Sequence, residues 1–347
     1  MKRNLLTNLA INLYKRANDN IFNLSGTSQE VPALTHEVLI RNFEIFNKKF
    51  DEIQQEDTLK EYLDLFESLV QVYPNSNKNL VWVLSTGRSG TLALNDFLLK
   101  SRLIMPFHRN ITVKDDLMLY NQFLYTILTG TFETNTPPYL QRLILNYLSI
   151  VSLDILRAVS SGRQFCFVNN GHTIFAPLIA KFFPSSRFIY LIRDPKSVYL
   201  SFLLKHRKPQ IEPLAVDPFK LKSLHFNSFS YCHFCQTRPT DLSLNERISW
   251  YIYMTNLYAS TFLETIDSRR YITINSENLF SQSEEAFEEL TKVLNLNDLN
   301  YKIFKEHYST PTNKKPELKR SSSQEEIDRA LLIFQSSYDR LSSTGKL

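Results

Sequence analysis

Leu80-Val81-Trp82-Val83-Leu84-Ser85-Thr86-Gly87-Arg88-Ser89-Gly90-Thr91 is the stretch that decides the fold. Its first five residues form a short, continuously apolar, β-branched run, as expected for a strand buried on both faces. A turn holding two glycines follows, and then Leu92–Leu99, whose Leu94, Phe97 and Leu98 recur at helix spacing and are expected to face a sheet. A strand that ends in a glycine-containing turn at a helix N-terminus is an anion site. Consecutive backbone N–H groups converge there, and the helix dipole adds partial positive charge. Gly87 and Gly90 permit the turn, Arg88 brings a forked cation, and Ser89 and Thr91 bring hydroxyl donors. The same spacing also suits an ordinary βα turn. Two common phosphate loops do not fit it. A Walker A loop needs Gly-Lys-Ser/Thr, yet the only Gly-Lys pair is Gly345-Lys346, and no G-x-G-x-x-G occurs.

Outward from this segment, apolar runs recur at Leu103–Phe107, Gln164–Val168, Arg187–Ile192 and Tyr271–Ile274. Helical patterns separate them at Asp115–Leu128, Pro138–Val159, Ile174–Phe183, Lys196–His206 and Leu244–Ile266. Such alternation predicts an α/β domain with a mostly parallel sheet of about five strands flanked by helices. Asp194-Pro195 reads as an N-cap followed by proline at the first helical position. Ser243-Leu244-Asn245-Glu246 and Ser281-Gln282-Ser283-Glu284 have capping-box spacing. Residues 1–78 read as an N-terminal helical extension: Leu39, Phe43, Phe46 and Phe50 share one face, as do Leu59, Tyr62, Leu63, Phe66 and Val70. Thr35 and Asp57 are candidate N-caps, and Tyr73-Pro74-Asn75-Ser76-Asn77 marks a boundary. The α/β domain then takes residues 79–347, with an irregular excursion at about 208–240.

Composition agrees with this reading. The 347 residues are 43% hydrophobic and 22% charged, which excludes wholesale disorder. Only 7 are glycine, roughly 2% of the chain against a usual share of about 7%, which argues against collagen-like and many-turned β architectures. Three cysteines, Cys166, Cys232 and Cys235, make no disulfide framework and point to a reducing compartment. A net charge of +5 suits an anionic ligand but is too mild to argue for nucleic acid. No run is long enough for a membrane span, and the basic start Met1–Leu5 lacks the apolar stretch of a secretory signal. A cytoplasmic location is the resulting expectation.

A second anion site is expected after the run Arg187–Ile192. Pro195 starts a helix there, so Arg193, Ser197 and Ser201 fall in line at intervals of four. Alternatively, Arg193 pairs with Asp194 or a sheet-edge carboxylate. Taken together, the two segments make the sequence resemble the sulfotransferases that use 3′-phosphoadenosine 5′-phosphosulfate (PAPS). The stretches Phe167–Pro195 and Trp250–Leu294 also look like that family, and the resemblance spans about residues 80–340. It implies that Thr86, Gly87, Arg88, Ser89, Gly90 and Thr91 bind the 5′-phosphosulfate. It likewise implies that Arg193 and Ser201, eight apart, bind the 3′-phosphate. The sequence departs from the family at Asn169-Asn170, where many relatives carry an acidic–Lys pair, so no role is carried to that spot. The family's basic segment near the C-terminus is not recognisable, with Lys314, Lys315, Lys319 and Arg320 as candidates.

Sulfuryl transfer needs in-line placement and stabilisation of charge on the leaving oxygen, a task for Arg88 and backbone N–H groups with no metal required. The family's base is a His or Glu just past the strand after the phosphate-loop helix. His108 follows Leu103–Phe107, and no carboxylate occurs between Asp96 and Asp115, so His108 is the candidate base and His172 the second choice. Cys232-x-x-Cys235, with His225 and His233, has the look of a zinc half-site but reads better as two ordinary thiols. The expectation is a sulfotransferase acting on a hydroxyl or amine of a small organic acceptor. Adenosine 3′,5′-bisphosphate is then the product, with no nucleic acid or membrane partner. Another P-loop phosphotransferase, or a catalytically inactive nucleotide-binding protein of the same fold, stays open as an alternative. The acceptor pocket is expected from Ile111–Ser160 and Lys208–Thr240, which match no motif.

Overall fold

The computed structural model describes residues 35–53, 80–108, 151–206, 244–309 and 324–344, with a few single positions between 60 and 147. Five strands, β1 (Val81–Leu84), β2 (Ile104–Phe107), β3 (Gln164–Phe167), β4 (Arg187–Ile192) and β5 (Tyr271–Asn275), make one sheet. Its order is β2-β3-β1-β4-β5 and every pairing is parallel. Strands in such a sheet are apolar throughout because both faces are covered. Along β1, Trp82 and Leu84 enter one core while Val81 and Val83 enter the other, and all four are fully buried.

The first face is aromatic. Trp82 stacks on Phe167 (5.9 Å, interplanar angle 6°) and meets Phe165 edge-on at 5.0 Å. Its indole N–H is satisfied by Ser186 Oγ at 3.1 Å. Helix α1 (His36–Ile53) lies over this face, starting at Thr35, whose Oγ1 accepts from Val38 N (3.3 Å). Its Leu39, Phe43, Phe46 and Phe50 belong to the same core as Trp82, and Phe43 packs edge-on against Tyr258 at 5.2 Å. The helix over residues 151–160, here α3, joins them. The opposite face is covered by α2 (Thr91–Leu98), whose Leu94, Phe97 and Leu98 are fully buried.

After β3 the chain makes a 3₁₀ turn, Asn170–Phe175, and then α4 (Ala176–Phe182). The single helix expected over Ile174–Phe183 is thus divided. Asn169 caps the 3₁₀ turn by accepting from Gly171 N at 2.8 Å, and Pro177 opens the α-helix. Helix α5 (Pro195–His206) begins as expected, with Asp194 Oδ2 accepting from Ser197 N at 2.8 Å. Helix α6 (Leu244–Glu264) crosses the aromatic face. Beyond β5 come α7 (Ser276–Phe280), α8 (Glu284–Leu294), α9 (Tyr301–Ser309) and α10 (Gln324–Thr344). The cap of α8 is Ser283 rather than Ser281. Gln282 takes a left-handed turn (φ 63°) after α7, so the extended residue that precedes the acidic first turn is Ser283.

This order positions the site. From β1 the chain runs toward the β2 edge, and from β4 toward the β5 edge. The loops leaving these two neighbouring strands diverge, and the crevice between their carboxyl ends is where open α/β sheets bind ligands.

Candidate active site

The turn after β1 is built from left-handed residues. Gly87 (φ 72°), Arg88 (φ 57°) and Gly90 (φ 89°) carry it into α2. Left-handed backbone costs a residue with a side chain roughly 1–2 kcal/mol, so Arg88 is held there by its surroundings. The space is equally restrictive. A Cβ on Gly87 would stand 2.8 Å from Asn170 Nδ2, and one on Gly90 would stand 2.8 Å from Phe280 Cζ. Inside the turn the hydroxyls of Thr86 and Ser89 lie 2.9 Å apart, and both donate to the Gly87 carbonyl. Below it, Thr173 Oγ1 accepts from Ser85 N and donates to Ser85 O, both at 3.0 Å. Tyr251 OH donates to the Thr86 carbonyl at 2.5 Å and accepts from Asn170 Nδ2 at 3.2 Å. Burial pushes the Tyr251 phenol far above its ordinary pKa, so it remains a donor.

The second turn meets the first directly. Arg193 leaves the end of β4, and its Nη1 donates to the Arg88 carbonyl at 2.8 Å. Arg88 Nε in turn donates to Ser201 Oγ, two turns along α5, at 2.9 Å. Two guanidinium groups therefore share one crevice. Partial burial lowers the Arg88 pKa, and the charge of Arg193 lowers it further. Two guanidinium groups this close repel each other, and that repulsion makes the crevice attractive to an anion. Ser197 stands one turn before Ser201, on the same helix.

A third element ties the two turns together. Ser276 Oγ, at the start of α7, donates to the Ser89 carbonyl, and Phe280, at its end, lies against Gly90. Between them Glu277 places Oε1 3.6 Å from Arg193 Nε, and the Arg193 guanidinium sits over the Phe280 ring at 5.5 Å. Thr173, Tyr251, Ser276, Glu277 and Phe280 are the parts that sequence reasoning did not assign to the site. Thr173 lies within the family-like stretch Phe167–Pro195 and the other four within Trp250–Leu294, where no single residue had been singled out.

His108 sits at the exposed end of β2, with Nε2 3.4 Å from Thr91 Oγ1 at the first turn of α2. Removal of part of the ring from water lowers its pKa, against a backbone hydrogen bond and the charge of Asp96, which raise it. The structure therefore places Arg88, Thr91, His108, Arg193 and Ser201 on one edge of the sheet. His172 is placed elsewhere: it is fully buried, its ring 3.7 Å from that of Phe167, with Tyr147 OH 2.7 Å from Nδ1. It belongs to the aromatic core.

Cys232, Cys235, the basic residues at 314–320 and both expected acceptor segments, apart from residues 127, 147 and 151–160, lie outside the described residues. Among the described residues, no group of three or more His, Cys, Asp or Glu could hold a metal, and no helix is long and apolar enough to cross a membrane.

No protein-family model matches the chain, and no curated protein matches it. Among solved structures it is similar to the sulfotransferase domain from the curacin biosynthetic pathway, at 14% identity over 77% of this chain and 91% of that one (TM-score 0.40). It is similar to the sulfotransferase domain from the Synechococcus PCC 7002 olefin synthase, at 13% identity over 77% and 95% (TM-score 0.39). A third is the sulfotransferase STF1 from Mycobacterium tuberculosis H37Rv, at 11% identity over 95% and 98% (TM-score 0.44). All three are sulfotransferases.

Proposed function

We propose that this chain is a sulfotransferase that moves a sulfuryl group from PAPS to a hydroxyl or amine of a small organic acceptor. The observation that carries the reading is the pair of linked contacts, Arg193 to the Arg88 carbonyl and Arg88 to Ser201. They bring two turns from separate strands to one crevice with two cations. A doubly phosphorylated nucleotide such as PAPS has its anionic groups at two positions on one ribose, and a site of two joined basic turns matches it.

In this reading the turn Thr86–Thr91 and the N-terminus of α2 receive the 5′-phosphosulfate. Arg88 faces the oxygen that bridges phosphorus and sulfur, where charge develops as the S–O bond breaks. Binding a phosphate there means that Arg88 exchanges Ser201 for the ligand. Arg193 and Ser201 then hold the 3′-phosphate, and the product is adenosine 3′,5′-bisphosphate. His108 takes the acceptor's proton. Its lowered pKa keeps the imidazole neutral at neutral pH, as a base must be. The three-cysteine composition supports a reducing, cytoplasmic setting.

The test is transfer of label from sulfur-35 PAPS to a mixture of phenols, alcohols and amines, with mass spectrometry of the labelled product. Labelled product that requires both Arg88 and Arg193 is the expected result. Tight binding of adenosine 3′,5′-bisphosphate with no transfer to any acceptor would show a nucleotide-binding protein without the chemistry. Magnesium-dependent turnover of ATP would show a phosphotransferase.

A further inference from the structure

Glu277 is an acid inside a basic crevice, and the reaction above gives it no task. Its carboxylate lies 3.6 Å from Arg193 Nε, beyond hydrogen-bond length, and among the described residues no hydrogen bond reaches either oxygen. Arg193 Nε and Glu277 Oε2 are both buried, and among the described residues neither has a hydrogen-bond partner. The backbone that carries the carboxylate is nonetheless well anchored. Asn275 Oδ1 accepts from Glu277 N at 2.9 Å, Ser276 is bonded to the Ser89 carbonyl, and Phe280 abuts Gly90. The acid is thus fixed relative to both anion turns, and its side chain is 42% exposed.

A carboxylate beside a phosphate site repels the phosphate, so its presence weakens binding unless it accepts a hydrogen bond from the same ligand. A carboxylate only accepts and a guanidinium only donates. Side by side, the two suit a phosphate that has a hydroxyl on the neighbouring carbon. In a 3′-phosphorylated ribonucleotide that hydroxyl is the ribose 2′-OH. The geometry points to Glu277 as a specificity-determining residue that accepts a hydrogen bond from the ribose 2′-hydroxyl while Arg193 and Ser201 hold the 3′-phosphate. The site then selects ribonucleotide over 2′-deoxyribonucleotide donors, because the deoxy ligand leaves the carboxylate unpaired next to a phosphate. This inference rests on the donor assignment of the preceding section.

Calorimetric titration of the full chain with adenosine 3′,5′-bisphosphate and with its 2′-deoxy analogue tests it. The wild-type protein should prefer the ribose form by about tenfold or more, the worth of a hydrogen bond to a charged acceptor. Glu277→Ala should bring the two affinities to within about twofold, and Glu277→Gln, which keeps a neutral acceptor, should keep part of the preference. The ratio of the two ligands cancels any general change in the crevice, including the lost repulsion. Equal affinities in the wild-type protein, or a preference that survives in Glu277→Ala, would overturn the role of Glu277 while leaving the donor assignment intact. If Glu277→Ala fails to fold, the wild-type ratio and Glu277→Gln still decide. Failure of the wild-type protein to bind the ribose bisphosphate would instead overturn the donor assignment itself, and this inference with it.

Discussion

Arg193→Ala separates the two anion turns. The guanidinium has two jobs: Nη1 bonds to the Arg88 carbonyl at 2.8 Å, and in the proposed reading its charge holds the 3′-phosphate. A hydrogen bond to a charged partner contributes about 1.5–3 kcal/mol, which is roughly 10- to 150-fold in Kd. The bond to the Arg88 carbonyl is neutral on one side and shapes the first turn, so its loss costs about 1 kcal/mol, roughly fivefold, for any ligand there. Calorimetry with adenosine 3′,5′-bisphosphate and adenosine 5′-phosphate resolves the two contributions. The bisphosphate should lose roughly 50-fold or more and the monophosphate no more than roughly fivefold. Equal losses for both ligands would show that Arg193 only props the first turn, and unchanged affinity for the bisphosphate would remove the second site altogether.

Four further substitutions test the structure. Tyr251→Phe takes the 2.5 Å donor from the buried Thr86 carbonyl, a loss of about 1–3 kcal/mol, and should weaken donor affinity measured by titration while thermal unfolding stays cooperative. His108→Ala should cut turnover with donor affinity near wild type. In the intact protein the acid limb of the pH–rate profile should have its midpoint below the ordinary histidine value, because burial disfavours the protonated ring. Asp96→Asn removes a charge that favours protonation, so it should move that midpoint further down; an upward move would contradict the assignment. Phe43→Ala should lower stability by about 3–5 kcal/mol in urea unfolding, since α1 inserts that ring between Tyr258 and Phe262; a cost below about 1 kcal/mol would detach α1 from the core.

Much of this molecule is local, and local features are legible in a sequence. Five buried strands read as five apolar runs because parallel strands covered on both faces need nothing polar along their length. The starts of α1 and α5 were legible in Thr35 and Asp194-Pro195, since a cap is chemistry between neighbours. Where two rules compete within a few residues, local reading falters. Ser281 and Ser283 both look like caps, and the left-handed turn at Gln282 chooses between them.

The two turns themselves were legible as separate sites, Arg88 from its glycine turn and Arg193 from its place between strand and helix. The resemblance assigned both to one ligand, but their direct contact was not legible, because sheet order is set by long-range pairing: β4 lies beside β1 although about a hundred residues separate them in the chain. The same applies to His172, which follows its strand much as His108 does but turns into the aromatic core. The amino-acid order alone therefore determined the strands, the starts of α1 and α5 and both basic turns, each a matter of neighbouring residues. Tertiary packing alone decided that the two turns touch, that Tyr251 and Ser276 brace the first of them, and that Glu277 stands beside the second. Each of these joins groups distant along the chain, whose meeting depends on how the layers stack.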